Sequence, residues 1–110
     1  MKGTHLGEFE EIVLLTVGIL YEDAYGLAIT DEIENRTGRS ITISSVHKAL
    51  NRLEAKGFLT SKMGGATEER GGRQKRLFSL TAYGKNALNE AKELRNSMYS
   101  AIPKVLWQQG

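Results

Sequence analysis

The chain has 110 residues, with 15 Lys and Arg against 13 Asp and Glu for a formal net charge of +2, and it contains no Cys. A length of this kind makes one small domain with a modest core, one that a partner subunit can help to complete. The absence of Cys excludes disulfides and thiolate metal sites, zinc fingers among them, and reads as a reduced, intracellular chain.

The first predicted element is a helix over roughly Leu6 to Tyr21. Its apolar run "IVLLTVGIL", Ile12 to Leu20, is nine residues long, about half of the ~18 that a membrane span requires. It therefore reads as a core helix. Its apolar residues occupy nearly the whole circumference, which calls for cover by other elements on several sides. The preceding "MKGTHLGEFEE" turns acidic before the apolar run, the wrong order and charge for a signal peptide. A cytoplasmic protein without membrane association is expected.

"EDAYG" breaks this helix, and a second is predicted from Gly26 to Thr37 with Ile29 and Ile33 inward, an acidic outer face and Gly38 as its stop. Thr42 then caps a third helix, Ile43 to Lys56, whose Val46, Ala49, Leu50 and Leu53 repeat at the spacing of one buried stripe. Gly57 ends it. Two strand-like runs follow, "FLTSKM" and "QKRLFSL", joined by the Gly-rich charged tip "GGATEERGGR", which together predict a β-hairpin. Thr81 opens the last helix. There Ala87, Ala91, Leu94, Met98 and Ala101, with Leu88 beside them, alternate at spacings of four and three, the pattern of a helix-pairing seam. Running to Ile102, that helix would be about 30 Å long, more than so small a domain can cover with its own core, so pairing with a second copy is expected.

Charge is unevenly distributed along the chain. Residues 1–35 hold one Lys against eight carboxylates, a net of −7; residues 36–76 hold ten Lys and Arg against three carboxylates, a net of +7; the rest carries +2. Basic residues grouped by element point to nucleic acid.

Three helices, a hairpin and a further helix is the order of a winged helix-turn-helix: a mainly α fold with a small β-hairpin wing, in the α+β class, extended by a C-terminal dimerisation helix. The expected division is 1–80 for the DNA-binding part and 81–110 for the dimerisation helix and tail, in one compact unit. Opposite the apolar stripe of helix three stand Ser44, Ser45, His47, Lys48 and Asn51, small and polar side chains suited to base edges. Asn pairs bidentately with adenine and Lys reaches guanine O6 or N7. In the arm, Arg70, Arg73, Lys75 and Arg76 flank Gly71 and Gly72, which let the turn approach a phosphate.

The same residues carry a resemblance to the PadR-type transcriptional regulators. "LGEFEEIVLLTVGIL" is similar to that family's first helix, "AYGLAITDEIE" to its Tyr-Gly second helix, "ISSVHKALNRLEAKGFL" to its recognition helix and "RGGRQKRLFSLTAYG" to its wing and exit, together covering roughly Leu6 to Ala91. The resemblance implies a dimeric DNA-binding repressor of the short subgroup, with a single C-terminal helix. It implies that Lys48, Asn51 and Arg52 lie on the DNA side of helix three and that Arg70, Gly72, Arg73 and Lys75 lie in the wing; a two-fold dimer should then find its half-sites as an inverted repeat in double-stranded DNA, about one helical turn apart. Where many members have Leu-Tyr-Pro, this chain has Val46-His47-Lys48, so their aromatic contact does not carry over. Some short members bind flat aromatic compounds at the dimer centre through a tryptophan that would fall near Arg95. Here the one Trp is Trp107, beyond Pro103, so a small-molecule effector is left without a site.

Catalysis and metal binding have no support in the spacing. His47 has only His5 for company, too little for a metal site, and reads as a neutral DNA-facing side chain. Tyr25 beside Gly26 reads as a core anchor. No cofactor loop is present, since "GGATEERGGRQ" lacks the Gly-Lys-Ser/Thr ending and stands between strands. The expectation is a regulator and not an enzyme. The alternative from another class is a winged-helix interaction module whose basic wing grips an acidic protein partner.

Overall fold

Helix α1, Glu8–Leu20, starts where Gly7 is extended and the third helical residue, Glu10, reaches back to accept the Gly7 N–H at 3.1 Å. That is the reciprocal half of a capping box. Three carboxylates in its first turn, Glu8, Glu10 and Glu11, face the positive end of the helix dipole. In the computed structural model, which describes residues 6–64 and 75–109, α2 (Gly26–Thr37), α3 (Ile43–Ala55), the hairpin and α4 (Ala82–Ala101) all pack on α1. Val13, Leu14 and Val17 are fully covered, whereas Leu15 and Ile19 stay 45% and 48% exposed. Cover of the apolar circumference is thus incomplete within one chain.

α1 gives way to a single 3-10 turn, Tyr21–Asp23, and Tyr21 takes φ 55°. α2 has the expected bounds and stops at Gly38, whose left-handed φ of 72° turns the chain out of the helix. The Thr42 hydroxyl accepts the Ser45 N–H at 3.0 Å and starts α3, whose Val46, Ala49, Leu50 and Leu53 are buried to 0% exposure. α3 ends one residue earlier than the periodicity suggests, with Lys56 as its cap.

β1 (Leu59–Gly64) and β2 (Lys75–Leu80) form an antiparallel pair in register from Leu59↔Leu80 to Gly64↔Lys75. Most of the expected glycine-rich tip lies outside the described residues. Phe58 and Phe78 are buried at the root of the hairpin, and the Phe78 N–H donates to the Ala24 carbonyl at 2.8 Å. This bond stitches the wing to the turn that follows α1. The order is that of a winged helix-turn-helix, with α2 and α3 as the paired helices and the hairpin as wing.

Thr81 caps α4 by accepting the Gly84 N–H at 2.9 Å. Its first turn presses on the hairpin root: the Phe58 and Tyr83 rings stack at 4.9 Å, and a Cβ on Gly84 would stand 2.2 Å from the Phe58 carbonyl oxygen. Gly84 and Ala87 are the residues of α4 that the core buries; from Lys92 to Ala101 every residue is exposed. A helix of 20 residues measures about 30 Å, so its distal half projects beyond the body of the protein. The chain then breaks at Pro103 and makes one further turn, α5 (Lys104–Trp107), whose Trp107 ring stacks on Tyr99 at 5.4 Å.

Gly84→Ala forces the α4 backbone away from Phe58. The expected loss is about 1–3 kcal/mol, the range for overpacking a close contact, read as a lower urea midpoint with unchanged slope; an unaltered midpoint would show that the first turn of α4 shifts freely.

Candidate nucleic-acid interface

The outer surface of α3 is built as the buried stripe dictates: Ser44, His47, Lys48, Asn51 and Arg52 are exposed on the helix whose other side is closed by Val46, Ala49, Leu50 and Leu53. Ser45 is half-buried and serves the helix start, its hydroxyl donating to the Thr42 carbonyl at 2.8 Å. His47 has two environments. Its ring lies against the first residue of α2, so close that a Cβ on Gly26 would meet the ring Cε1 at 2.7 Å. The imidazole therefore fills the notch between the two helices of the motif while remaining solvent-accessible, a packing role that sequence spacing did not reveal. Ile43, at the start of α3, is 42% exposed and adds an apolar contact to the same surface.

Arg52 is tied down at the far end of α3. Its Nε donates to Glu10 Oε2 at 3.2 Å, and Lys56 Nζ donates to both Glu10 oxygens at 3.1 Å. Glu10 is only 7% exposed. Burial pushes its carboxyl up, but the Gly7 N–H, Lys56 and Arg52 together outweigh that and hold it below its ordinary value. These partners are 42 and 46 residues apart in sequence, beyond the reach of any local pattern.

The wing cations are also engaged. Lys75 Nζ sits 3.3 Å from the centroid of the Tyr25 ring, a cation–π contact that gives Tyr25 a second task beyond anchoring α2. Arg76 Nη1 donates to Ser61 Oγ at 2.8 Å, and Ser61 Oγ donates to Glu54 Oε2 at 2.7 Å, so the wing root is linked to α3. Arg70, Gly72 and Arg73 lie outside the described residues. In the turn between α2 and α3, Arg39 pairs with Glu8 of α1, and within the last turns of α2 Arg36 pairs with Glu32. Among the described residues of the basic block, Lys48 and Lys62 alone have no side-chain hydrogen bond, ion pair or cation–π contact.

The α4 seam divides. Ala87 is 1% exposed and belongs to the protomer's own core, because the first turns of α4 close the hairpin root, whereas Leu88 is half-buried against that core. Ala91 is half-buried, while Leu94 and Met98 are 60% and 64% exposed and Ala101 is exposed. Arg95 Nη2 bonds Glu11 Oε1 at 2.6 Å and holds α4 along α1, on which Leu15 and Ile19 are open. Among the described residues no group of three or more His, Cys, Asp or Glu could hold a metal, and no helix is long and apolar enough to cross a membrane.

A winged helix-turn-helix with a polar outer face on its third helix is the architecture of DNA-binding transcriptional regulators. The model of the PadR-like transcriptional regulator family matches residues 14–90, and the chain belongs to that family, whose members are regulators and not enzymes. An uncharacterised protein of Lysinibacillus sphaericus is 34% identical over 86 residues, covering 76% of this chain and 74% of its own length. A PadR-family transcription regulator from Clostridium difficile superposes with a TM-score of 0.67 at 27% identity, over 86% of this chain and 97% of that one. The ORC1 protein of Aeropyrum pernix in complex with DNA superposes at 0.63 with 22% identity, over 86% of this chain and 26% of that one, a likeness of fold.

Because the folded-state pKa of Glu10 is depressed, its contribution is present above the ordinary carboxylate range and is lost as pH falls through the folded value. Glu10→Gln is therefore expected to lose about 1–3 kcal/mol at neutral pH, with the gap to the native chain closing below about pH 4. Urea unfolding across that range measures it; a gap independent of pH would mean that packing, and not charge, is what the carboxylate supplies.

Proposed function

We propose that the protein is a homodimeric repressor that binds an inverted-repeat operator in double-stranded DNA, with α3 in the major groove and the hairpin along the phosphate backbone. The observation that carries this reading is the outer surface of α3. Lys48 and Asn51 stand exposed one turn apart there, Lys48 free of any ion pair among the described residues, and their donors match guanine and adenine edges. Ile43, at the leading end of the helix, suits a thymine methyl group. Arg70, Gly72 and Arg73 are assigned to the backbone on sequence grounds, with Lys75 and Arg76 at their root.

Dimerisation is assigned to the distal part of α4, where Leu94, Met98 and Ala101 are exposed, and Leu15 and Ile19 are open on the neighbouring α1. Residues 1–80 then read DNA and 81–110 hold the pair together as one unit. A cytoplasmic location fits a DNA-binding regulator. The alternative, a module gripping an acidic protein with its wing, has less support, since it gives no task to the exposed polar face of α3.

The two roles separate experimentally. Asn51→Ala is expected to relax base preference at one or two positions per half-site at a cost of ~1–3 kcal/mol. Arg73→Ala is expected to weaken binding evenly across sequences and to lower the salt slope by about one unit. Selection from a randomised duplex library at two salt concentrations tests both; if the native chain enriches no inverted repeat and the two variants lose affinity in the same sequence-blind way, α3 is not a reading helix.

For the dimer, Leu94→Glu with Met98→Glu should halve the mass seen by light scattering and weaken operator binding together. An unchanged mass would move the interface elsewhere.

A further inference from the structure

Behind the wing, between the C-terminal end of α1, the hairpin and the first turn of α4, lies an open cavity of about 470 Å³. Its size falls within the roughly 300–1,000 Å³ of small-molecule sites. Val17, Leu77 and Leu80 supply apolar wall, and Lys62 from β1 and Lys85 from α4 bring two ammonium groups to the lining against one carboxylate, Glu22. Neither lysine makes an ion pair among the described residues.

The hairpin register explains why these groups meet. Lys62 pairs with Leu77 and Thr60 with Ser79, so strand alternation puts Lys62, Leu77 and Ser79 on one face of the wing, while Leu80, on the opposite face at the end of β2, borders the cavity beside Gly18 of α1. Ser61 and Arg76, one residue out of phase, lie on the other face and reach α3 through Glu54. Tyr21 forms the lip. It is the one non-glycine residue with positive φ among those described, at 55°, and its side chain is 74% exposed, so no core packing of the ring accounts for the strained backbone. Strain of that sort gathers at ligand sites.

We propose that this cavity binds a small anion with an apolar body, the body against Val17, Leu77 and Leu80 and the charged head between Lys62 and Lys85, with the Ser79 hydroxyl as a further donor. The site is separate from the α3 surface and from the α4 seam. An occupant would bear on the wing from behind, against α1 and α4, and so alter the angle at which the hairpin meets DNA. Ligand and operator would then change each other's affinity by the same factor. This consequence rests on the DNA reading above; the site itself does not.

Fluorescence titration of the full chain without DNA, using anilinonaphthalene sulfonate and its uncharged parent N-phenylnaphthylamine, tests the site. Lys62→Gln with Lys85→Gln should weaken the sulfonate about tenfold and leave the parent nearly unchanged, in keeping with two partly solvated charge contacts. Added salt should weaken the sulfonate alone. Ser79→Trp, which puts bulk into the cavity from an exposed strand position, should weaken both dyes with the circular dichroism of the native chain retained. Sulfonate binding that survives the lysine changes, or that is lost instead with Leu94→Glu and Met98→Glu, overturns the proposal. Should the dyes behave as expected while no duplex is bound, the ligand site stands and the DNA reading fails. Should operator DNA bind without changing dye affinity, the linkage is wrong.

Discussion

What α3 can present depends on how it is held, and at its C-terminal end it is held by a nearly buried carboxylate from the first turn of α1. Removing a charge from water costs several kcal/mol unless it is paired and hydrogen-bonded. Glu10 meets that condition with three donors: the Gly7 N–H, Arg52 and Lys56. Among the described residues no buried side-chain nitrogen or oxygen lacks a partner. The geometry that satisfies the carboxylate also fixes the azimuth of α3, because Arg52 and Lys56 reach it only with Leu50 and Leu53 turned inward. Asn51 and Lys48 are thereby turned out. A hydrophobic stripe alone tolerates small rotations; a shared carboxylate constrains them.

The same contact changes the meaning of the charge distribution. Along the sequence an acidic block of −7 precedes a basic block of +7, which suggests a polarised molecule with a strongly positive face. In space the blocks partly meet. Glu8 takes Arg39, Glu10 takes Arg52 and Lys56, Glu32 takes Arg36, and Lys75 lies over Tyr25. The surface ion pairs among these add little stability, but they lower the net field that steers a polyanion. Under the proposed DNA reading, specific side chains on α3 would therefore carry more of the recognition than the sequence total implies.

The protomer is also unfinished. α1 is the central helix, yet Leu15 and Ile19 remain about half exposed. α4 closes the hairpin root with Gly84 and Ala87 and then leaves the body, carrying Leu94 and Met98 into solvent. Exposed apolar groups on two neighbouring helices of so small a protein are the kind of surface that a partner covers. The aromatic pair Tyr99 and Trp107 folds the tail back at the far end, a feature foreshadowed only by the Pro103 break.

The local code of this chain was legible in order and type. Gly38 and Gly57 with their left-handed φ, Thr42 and Thr81 as caps, and the four-residue stripe of α3 each act locally, so the amino-acid string alone marked where helices begin, turn and end to within about two residues. The exposed Lys48 and Asn51 followed from that stripe by simple exclusion. Tertiary structure decided what depends on residues far apart. Arg52 and Lys56 answer to Glu10, Lys75 to Tyr25, and His47 packs on Gly26, none of which a sequence window spans. Ala87 left the expected seam for the core because Gly84 brings α4 within reach of the Phe58 carbonyl. The cavity behind the wing exists only because strand register sets Lys62 beside Leu77 and the fold sets Lys85 near both. Periodicity reports which side of an element is apolar; only packing settles which neighbour covers that side, and which cations remain free to meet a ligand.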